Sequence, residues 1–355
     1  MGYDGAMKSS PSKVFPAALL AAAALVLPMS PVSAPAHAQA GGKPLPSIAR
    51  VGSELNMFIE LHNHLLFASR ADEDALPEYR SAVKAYRDAK ELAKDPAVMQ
   101  TVTDACIAGP DITAIGSTVT RLPATMSPAD QEAVRKMIGA IVSAWPRFER
   151  TEGPEHRRSL QTIWSRVMLK HWGLVQDRLL TKLYEKFAFL PLDKSITLYP
   201  VLETTELGVS GSTAQGYYAV IPVMKAPNLM IIEEMLHEVT HVIDQYQPPA
   251  SQSVLIRIRR RAGHVDPQAL NSFMHGLITW NAGELVRRLV SADYKPLIDV
   301  SSPMREPLAP YLANYEGPWA GYLEDKLTAD QAIDGMLAGL KPAPPPAASP
   351  AAPGS

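Results

Sequence analysis

The sequence predicts a mainly α-helical protein with a small β-sheet, an α+β fold. Through most of the chain, apolar residues recur at three- to five-residue spacing, which is typical of helices packed on a core. Two segments, 195–202 and 217–224, are instead rich in β-branched and aromatic residues, which favour strands. The chain is 46% apolar over 355 residues, which is enough to bury a large core.

The two ends of the chain differ in composition from the rest. Lys8 and Lys13 precede the apolar run 14–27, and small residues follow that run at cleavage spacing. This pattern is typical of a secretory signal peptide, predicted as residues 1–40, with a retained anchor as the alternative. The Pro/Ala-rich tail 341–355 lacks side chains for a core and is predicted to be disordered. We therefore predict an exported protein, periplasmic or secreted, with no stable membrane span after cleavage.

Charge and cysteine content exclude several classes of protein. The net charge is −2, and nothing in the charge pattern indicates a nucleic-acid partner. Cys106 is the single cysteine, so no internal disulfide can form. It has no basic partner nearby in sequence, and no G-x-S-x-G motif occurs, so nucleophilic catalysis by cysteine or serine is not indicated. The sequence leaves the oligomeric state open.

The chain after the signal peptide divides into two predicted regions. Residues 41–190 show helical patterning without a strand pattern, and Pro-containing steps separate the helices. Residues 191–340 hold both strand-like segments, joined by a connection rich in Gly, Ser and Thr, and then several helical segments. The second strand-like segment contains Pro222, which has no N–H for a sheet, so we predict that it is an edge strand.

The helical segment that follows contains the motif His237-Glu238-x-x-His241. Residues four apart on a helix lie one turn apart and about 40° around the axis, so both imidazoles can reach one metal ion. Glu238 lies beside them, where its carboxylate can deprotonate a metal-bound water. The motif predicts amide hydrolysis with one zinc ion and Glu238 as general base.

A catalytic zinc site takes three protein ligands and a water, so a third ligand is needed. The downstream candidates are His264, His275 and Glu284. At 100° per residue, Glu284 lies on the apolar face of its helix and His275 lies about 180° away. A buried carboxylate needs a cationic partner, and the two alternatives are zinc and Arg288, one turn further on. We predict Glu284 as the third ligand, because its face would meet the histidine face.

Other residues could complete such a site. Asp244 lies about 60° from His241 and 20° from His237, and Glu233 lies about 40° from His237. Either is a candidate acceptor for the second ring N–H of a histidine, with an ordinary solvated helix face as the alternative. The hydroxyl that stabilises the transition state cannot be chosen from the sequence. The eligible tyrosines are Tyr217, Tyr218, Tyr294, Tyr311 and Tyr315.

The motif His237-Glu238-x-x-His241, followed by Asn281-Ala-Gly-Glu284 on a second helix, resembles the gluzincin-type zinc metallopeptidases. The resemblance covers about residues 215–292 and points to no single family over the whole chain. It implies a zincin-like core in which His237, His241 and Glu284 bind zinc and Glu238 is the general base. It also implies that an edge strand just before the motif holds a peptide or protein substrate, here Tyr217, Tyr218, Ala219 and Val220.

Three further features have structural interpretations. His62 and His64 are two residues apart, so on a helix they point about 160° apart and cannot share an ion; we predict structural or exposed roles for them. His171 is predicted to be a packing histidine. The arginine run 257–261 is predicted to be a solvated surface.

Two functions remain from the sequence. The first is an exported zinc metallopeptidase with a helical N-terminal region. The alternative is a non-catalytic exported scaffold or binding protein, in which the motif holds a structural metal or arises by coincidence. Zinc content and the effect of Glu238→Gln distinguish them.

Overall fold

The computed structural model describes residues 50–70, 77–95, 97–202, 209–223, 227–263 and 265–340. The predicted signal peptide, the tail and His264 lie outside the described residues. In the described part, most residues are helical and four strands form one small mixed sheet, which confirms the α+β class. No helix within these ranges is both long and apolar enough to cross a membrane.

The sheet in the described part of the chain has four strands. They are β1 (Val51–Ser53), β2 (Ile196–Val201), β3 (Val209–Ser212) and β4 (Tyr217–Pro222). Their order is β1-β2-β4-β3; β1 and β4 run parallel to β2, and β3 runs antiparallel to β4. Because β1 comes from the N-terminal region, both predicted regions contribute to this one sheet.

Strand β4 lies inside the sheet, which differs from the edge position predicted for it. The four residues expected to present an open edge, Tyr217, Tyr218, Ala219 and Val220, pair with β2 on one side and β3 on the other. Pro222 is the last residue of β4, and the next N–H, from Val223, bonds to the Val201 carbonyl at 2.9 Å. A proline at the end of a strand leaves the middle of the ladder intact. Among the described strands, the edges are β1 and β3.

Seven helices of the described residues belong to the N-terminal region. They are α1 (Met57–Ala68), α2 (Arg80–Leu92), α3 (Ala97–Ala108), α4 (Ile112–Ser117), α5 (Pro128–Phe148), α6 (Gly153–Val167) and α7 (Gly173–Phe187). A π-helical turn, Met168–Trp172, joins α6 to α7, so the two helices form one continuous helix that carries a bulge. His171 lies in this turn, and its Nε2 is 3.0 Å from Asn228 Nδ2.

Eight helices follow the sheet within the described ranges. They are α8 (Asn228–Gln245), α9 (Val254–Arg261), α10 (Pro267–Leu289), α11 (Leu297–Val300), α12 (Ser302–Leu308), α13 (Leu312–Asn314), α14 (Ala320–Leu323) and α15 (Ala329–Ala338). Residues that favour helix starts stand at the beginnings of α8 and α10. Pro227 is the N-cap of α8, and the Asp266 side chain caps α10 by accepting the Ala269 N–H at 2.9 Å, with Pro267 in the first turn.

Helices cover both faces of the sheet. Successive side chains of a strand point to opposite faces. The Tyr217 ring packs on Tyr246 at the end of α8, with ring centroids 4.4 Å apart, whereas the Tyr218 hydroxyl donates to Asp104 on α3. The sheet therefore lies between α3 and α8, and one face of α8 packs along the sheet.

Helices α8 and α10 pack antiparallel to each other. His275, near the start of α10, contacts His237, while Gly283, further along α10, lies beside Glu233 near the start of α8. A Cβ on Gly283 would be 2.8 Å from Glu233 Oε1 and 2.6 Å from Pro296 Cβ. Glycine is therefore required for this close approach, which holds the histidine-bearing segments together.

The histidines of α1 have separate partners, as the helical geometry predicts. His62 Nδ1 lies 2.8 Å from the Tyr86 hydroxyl, and burial lowers the pKa of His62 to about 4. The His64 ring packs at 5.0 Å from the ring of His156 on α6. Both histidines are parts of the packing of the N-terminal helices.

The arginine run of α9 forms more contacts than the predicted solvated surface would. Arg257 and Arg261 both pair with Asp330 on α15, and Arg259 Nη1 donates to Asp244 on α8 at 3.0 Å. Exposed ion pairs such as those to Asp330 contribute little to stability, because water and salt screen them. The pairs to Asp330 connect α9 to α15, and the pair of Arg259 with Asp244 connects α9 to α8.

Candidate metal centre

Three histidines meet between α8 and α10. One ring nitrogen from each of His237, His241 and His275 lies within 4.8 Å of the others. The Nε2 atoms of His237 and His241 are 3.1 Å apart, and the His275 ring centroid lies 4.9 Å from that of His237 and 5.2 Å from that of His241. Within the part of the chain that the structure describes, this is the one cluster of three metal-ligating side chains with such spacing.

The cluster is closed on one side and open on the other. His237 is buried, whereas His241 and His275 are partly exposed. Residues 231–240 of α8 are buried throughout, because this helix passes between the sheet and α10. The buried part of α8 encloses His237 on its inner side, and a metal ion or a water molecule can approach from the side of the partly exposed His241 and His275.

All three imidazoles are neutral at neutral pH. Burial lowers the pKa of His237 well below its ordinary value, and the nearby His241 and His275 lower it further. Burial, with contributions from His275 and Arg259, lowers the pKa of His241 to about 3, and burial also lowers the pKa of His275. Neutral imidazoles keep the lone pairs that bind metals, so a metal ion need not compete with an added proton at this pH.

Glu238 lies beside the cluster and is itself buried. Its Oε1 is 3.6 Å from Nε2 of His237. Burial raises the pKa of Glu238 well above its ordinary value, and the neighbouring Glu234 raises it further. A carboxylate with a raised pKa is a stronger proton acceptor, which suits the predicted role of general base.

Glu284, the predicted third ligand, lies elsewhere. It is on the face of α10 opposite His275, as the helical phase predicts, and it is buried. Its Oε2 accepts from Arg287 Nε at 2.8 Å, and its Oε1 accepts from Arg287 Nη2 at 2.7 Å and from Arg288. The structure thus places His275, and not Glu284, with the motif histidines. Of the two partners considered for Glu284, zinc and Arg288, the structure shows the arginine.

The reason for this difference is that α10 is buried on two sides. The face that carries Glu284 packs against the C-terminal segment, where the Tyr315 hydroxyl donates to the Phe273 carbonyl at 2.8 Å and Trp319 Nε1 donates to Asn281 Oδ1 at 3.1 Å. A helix with two buried faces has no single inward face. Apolar character therefore could not identify the face that meets α8.

Thr279 is a site residue that the sequence analysis missed. Its Oγ1 lies 3.2 Å from Nδ1 of His237. His275, Thr279 and Gly283 are spaced four residues apart, so they form one stripe along α10, and this stripe faces α8. A histidine followed by small residues at this spacing is the sequence signal that could have identified the face.

The two residues predicted to support the histidines have other partners. Asp244 pairs with Arg259, and Glu233 accepts hydrogen bonds from the Tyr294 hydroxyl and from the Leu297 N–H at 3.0 Å. Asp244 therefore ties α8 to α9, and Glu233 ties it to the segment before α11.

The five candidate tyrosine hydroxyls also have acceptors outside the cluster. Each donates a hydrogen bond, and the pairs are Tyr217 to Asp193, Tyr218 to Asp104, Tyr294 to Glu233, Tyr311 to the Ala269 carbonyl and Tyr315 to the Phe273 carbonyl. In the described residues, none of these hydroxyls is therefore oriented by a contact with the three histidines.

Glu233 leads to a pH-dependent prediction. Burial raises its pKa from 4.5 to about 7, against the opposing effect of the hydrogen bonds from Tyr294 and Leu297. Between about pH 4.5 and pH 7 the folded protein therefore keeps a proton on Glu233 that the unfolded chain releases. The contribution of Glu233 to the free energy of unfolding is complete below about pH 4.5, and about 3 kcal/mol of it is lost as the pH rises to about 7. We expect Glu233→Gln to flatten this part of the stability profile in urea unfolding at several pH values. An identical slope in both proteins would contradict the assignment.

Comparison with known proteins identifies no relative. No family model, no curated protein and no solved structure matches the chain. The chemistry of the site therefore rests on its own residues.

Proposed function

We propose that this protein is an exported zinc-dependent metallopeptidase, with His237, His241 and His275 as the zinc ligands and Glu238 as the general base. The observation that carries the proposal is the meeting of three neutral imidazoles beside a buried carboxylate. The proposed ligand set keeps the two histidines of the H-E-x-x-H motif and replaces Glu284 by His275.

The donor set suits zinc. Three imidazole nitrogens with one position left for water form a common ligand set of catalytic zinc sites. A structural zinc site is closed by a fourth protein ligand, whereas the cluster found among the described residues consists of three side chains. When bound, zinc supplies a Lewis acid that lowers the pKa of water to about 7.

The residues of the chain then have separate roles. The three imidazoles would hold a zinc ion at the interface of α8 and α10, and burial behind His237 keeps bulk water from that side. Glu238 receives the proton of the attacking water, because its raised pKa makes it a better acceptor than an ordinary glutamate. Protonated Glu238 can then return this proton to the leaving amine.

The substrate class follows from the sheet. Strand β3 is an edge strand that packs against α8, and extended peptides bind to sheet edges by adding a strand. We propose that a peptide or protein substrate pairs with Val209–Ser212, which takes the place of the Tyr217–Val220 segment predicted from the sequence. The arrangement of sheet, α8 and α10 would then correspond to a zincin-like core.

The alternative is a non-catalytic exported protein with a structural metal. Glu238 favours catalysis over this alternative. Its Oε1 lies 3.6 Å from Nε2 of His237, and a structural metal site needs no proton acceptor beside its ligands. Export is proposed from the pattern of residues 1–40 alone.

The proposal is tested by metal content and hydrolysis together. The protein, purified without chelators, should contain about one zinc per chain and cleave a peptide library in a reaction that a chelator stops and added zinc restores. Protein that contains no zinc and does not bind added zinc would end the proposal. Stoichiometric zinc without cleavage of any peptide would favour the structural alternative.

A further inference from the structure

We propose that Thr279 is a positioning residue, which fixes the tautomer of His237 and thereby directs the Nε2 lone pair of that histidine toward the metal position. This inference rests on the proposed metal site. It concerns the support of a ligand, a role for which the sequence suggested the carboxylates Asp244 and Glu233.

The hydrogen-bonding capacity of one hydroxyl carries the argument. Thr279 Oγ1 lies 3.0 Å from the His275 carbonyl oxygen and 3.2 Å from Nδ1 of His237. A hydroxyl group has one proton to donate, whereas a carbonyl oxygen has none and can only be an acceptor. When the Thr279 proton is donated to the His275 carbonyl, the remaining contact requires that Nδ1–H of His237 donates to Oγ1.

This assignment determines which nitrogen of His237 can bind a metal. A neutral imidazole protonated on Nδ1 has its lone pair on Nε2. Nε2 is the atom that lies 3.1 Å from Nε2 of His241 and 3.6 Å from Oε1 of Glu238. The lone pair of His237 is therefore held on the side of the cluster where the other ligand and the general base lie.

Thr279 also connects the two helices that supply the ligands. Its hydroxyl donates to the backbone of His275 on α10 and accepts from the side chain of His237 on α8. The side chain is buried, with 2% exposure, so water cannot replace the hydroxyl without rearrangement. In many metal sites a carboxylate or a backbone carbonyl orients the histidine, and its loss typically lowers metal affinity about 10- to 100-fold.

The chain offers a matched control for this inference. Thr240 is another buried threonine of the same region, and its hydroxyl donates to the Leu236 carbonyl at 2.6 Å within α8. Thr279→Val and Thr240→Val each replace one buried hydroxyl by a methyl group of nearly equal volume. Thr279→Ser keeps the hydroxyl and removes only the methyl group.

The first measurement is the tautomer of His237 in the metal-free full chain, by ¹⁵N NMR of the imidazole nitrogens. We expect His237 to be protonated on Nδ1 in the wild type, in Thr279→Ser and in Thr240→Val, and to shift toward protonation on Nε2 in Thr279→Val. The same Nδ1 tautomer in Thr279→Val would overturn the inference, and so would a wild-type His237 protonated on Nε2.

The second measurement is the affinity for Zn²⁺ by competitive titration. Thr279→Val should bind about 10- to 100-fold more weakly than the wild type, while Thr279→Ser and Thr240→Val should stay near it. Equal affinities in all four proteins would refute the role of Thr279 and leave the metal site intact. A wild-type chain that binds no zinc would instead refute the proposed function, and the NMR result would still decide the tautomer.

Discussion

Replacement of His275 by alanine is expected to lower the affinity for zinc about 100-fold. The free energy of zinc binding to a site of four ligands is about 10–16 kcal/mol, so one ligand contributes about 3 kcal/mol. A change of about 1.4 kcal/mol corresponds to a factor of ten in affinity. His275 is the residue of α10 whose ring lies within 5.2 Å of both motif histidines. Its side chain is partly exposed, so its removal should leave the fold intact.

The informative comparison for His275→Ala is Glu284→Gln, which changes the other candidate ligand on the same helix. Glu284→Gln should leave zinc affinity near the wild-type value, because the Glu284 carboxylate forms ion pairs with Arg287 and Arg288. It should lower stability by about 1–3 kcal/mol, since charged hydrogen bonds of a buried group are lost. Isothermal titration with Zn²⁺ and urea unfolding measure the two effects. Weak binding by Glu284→Gln together with normal binding by His275→Ala would restore Glu284 as the third ligand.

Glu238→Gln is expected to reduce peptide hydrolysis by about 10²- to 10⁴-fold, the usual contribution of a general acid–base group. The amide has nearly the shape of the carboxyl group but cannot accept the proton of water at neutral pH. Zinc should still bind with near wild-type stoichiometry, because Glu238 is not one of the three clustered ligands. The measurements are the rate of peptide cleavage and the zinc content of the same preparation.

Glu233→Gln is the control for Glu238→Gln. It introduces the same change in another buried glutamate of α8. The Glu233 carboxylate accepts hydrogen bonds from Tyr294 and Leu297. Glu233→Gln should retain hydrolysis under conditions in which the protein is folded. If Glu238→Gln cleaved peptides as fast as the wild type, another group would have to be the base, and our mechanism would be wrong.

Local features were predictable from the sequence with good detail. Pro227 and Asp266 mark the starts of α8 and α10 because capping and the first turn depend on residues that are neighbours in the chain. The proximity of His237 and His241 follows from the geometry of one helical turn. Separate partners for His62 and His64 follow from the same geometry.

Features that depend on contacts between elements were predicted less well. Pro222 suggested an edge strand, but β3 pairs with the free side of β4 and the proline lies at the strand's end. The connection between β2 and β4 is rich in Gly, Ser and Thr, a composition that does not favour a strand. Strand β3 forms within this connection because it pairs with β4. Strand pairing is a property of two segments, which neither segment shows alone.

The sequence by itself determined that α8 carries two histidines and a glutamate on one helical turn, and that Glu284 and His275 lie on opposite faces of a later helix. Only the tertiary structure decided which of these faces meets α8. The physical reason is that helical phase fixes the relative directions of side chains within one helix, whereas α10 is buried on both sides. The close contact at Gly283 and the packing of Tyr315 and Trp319 on the other face together bring His275 to the motif.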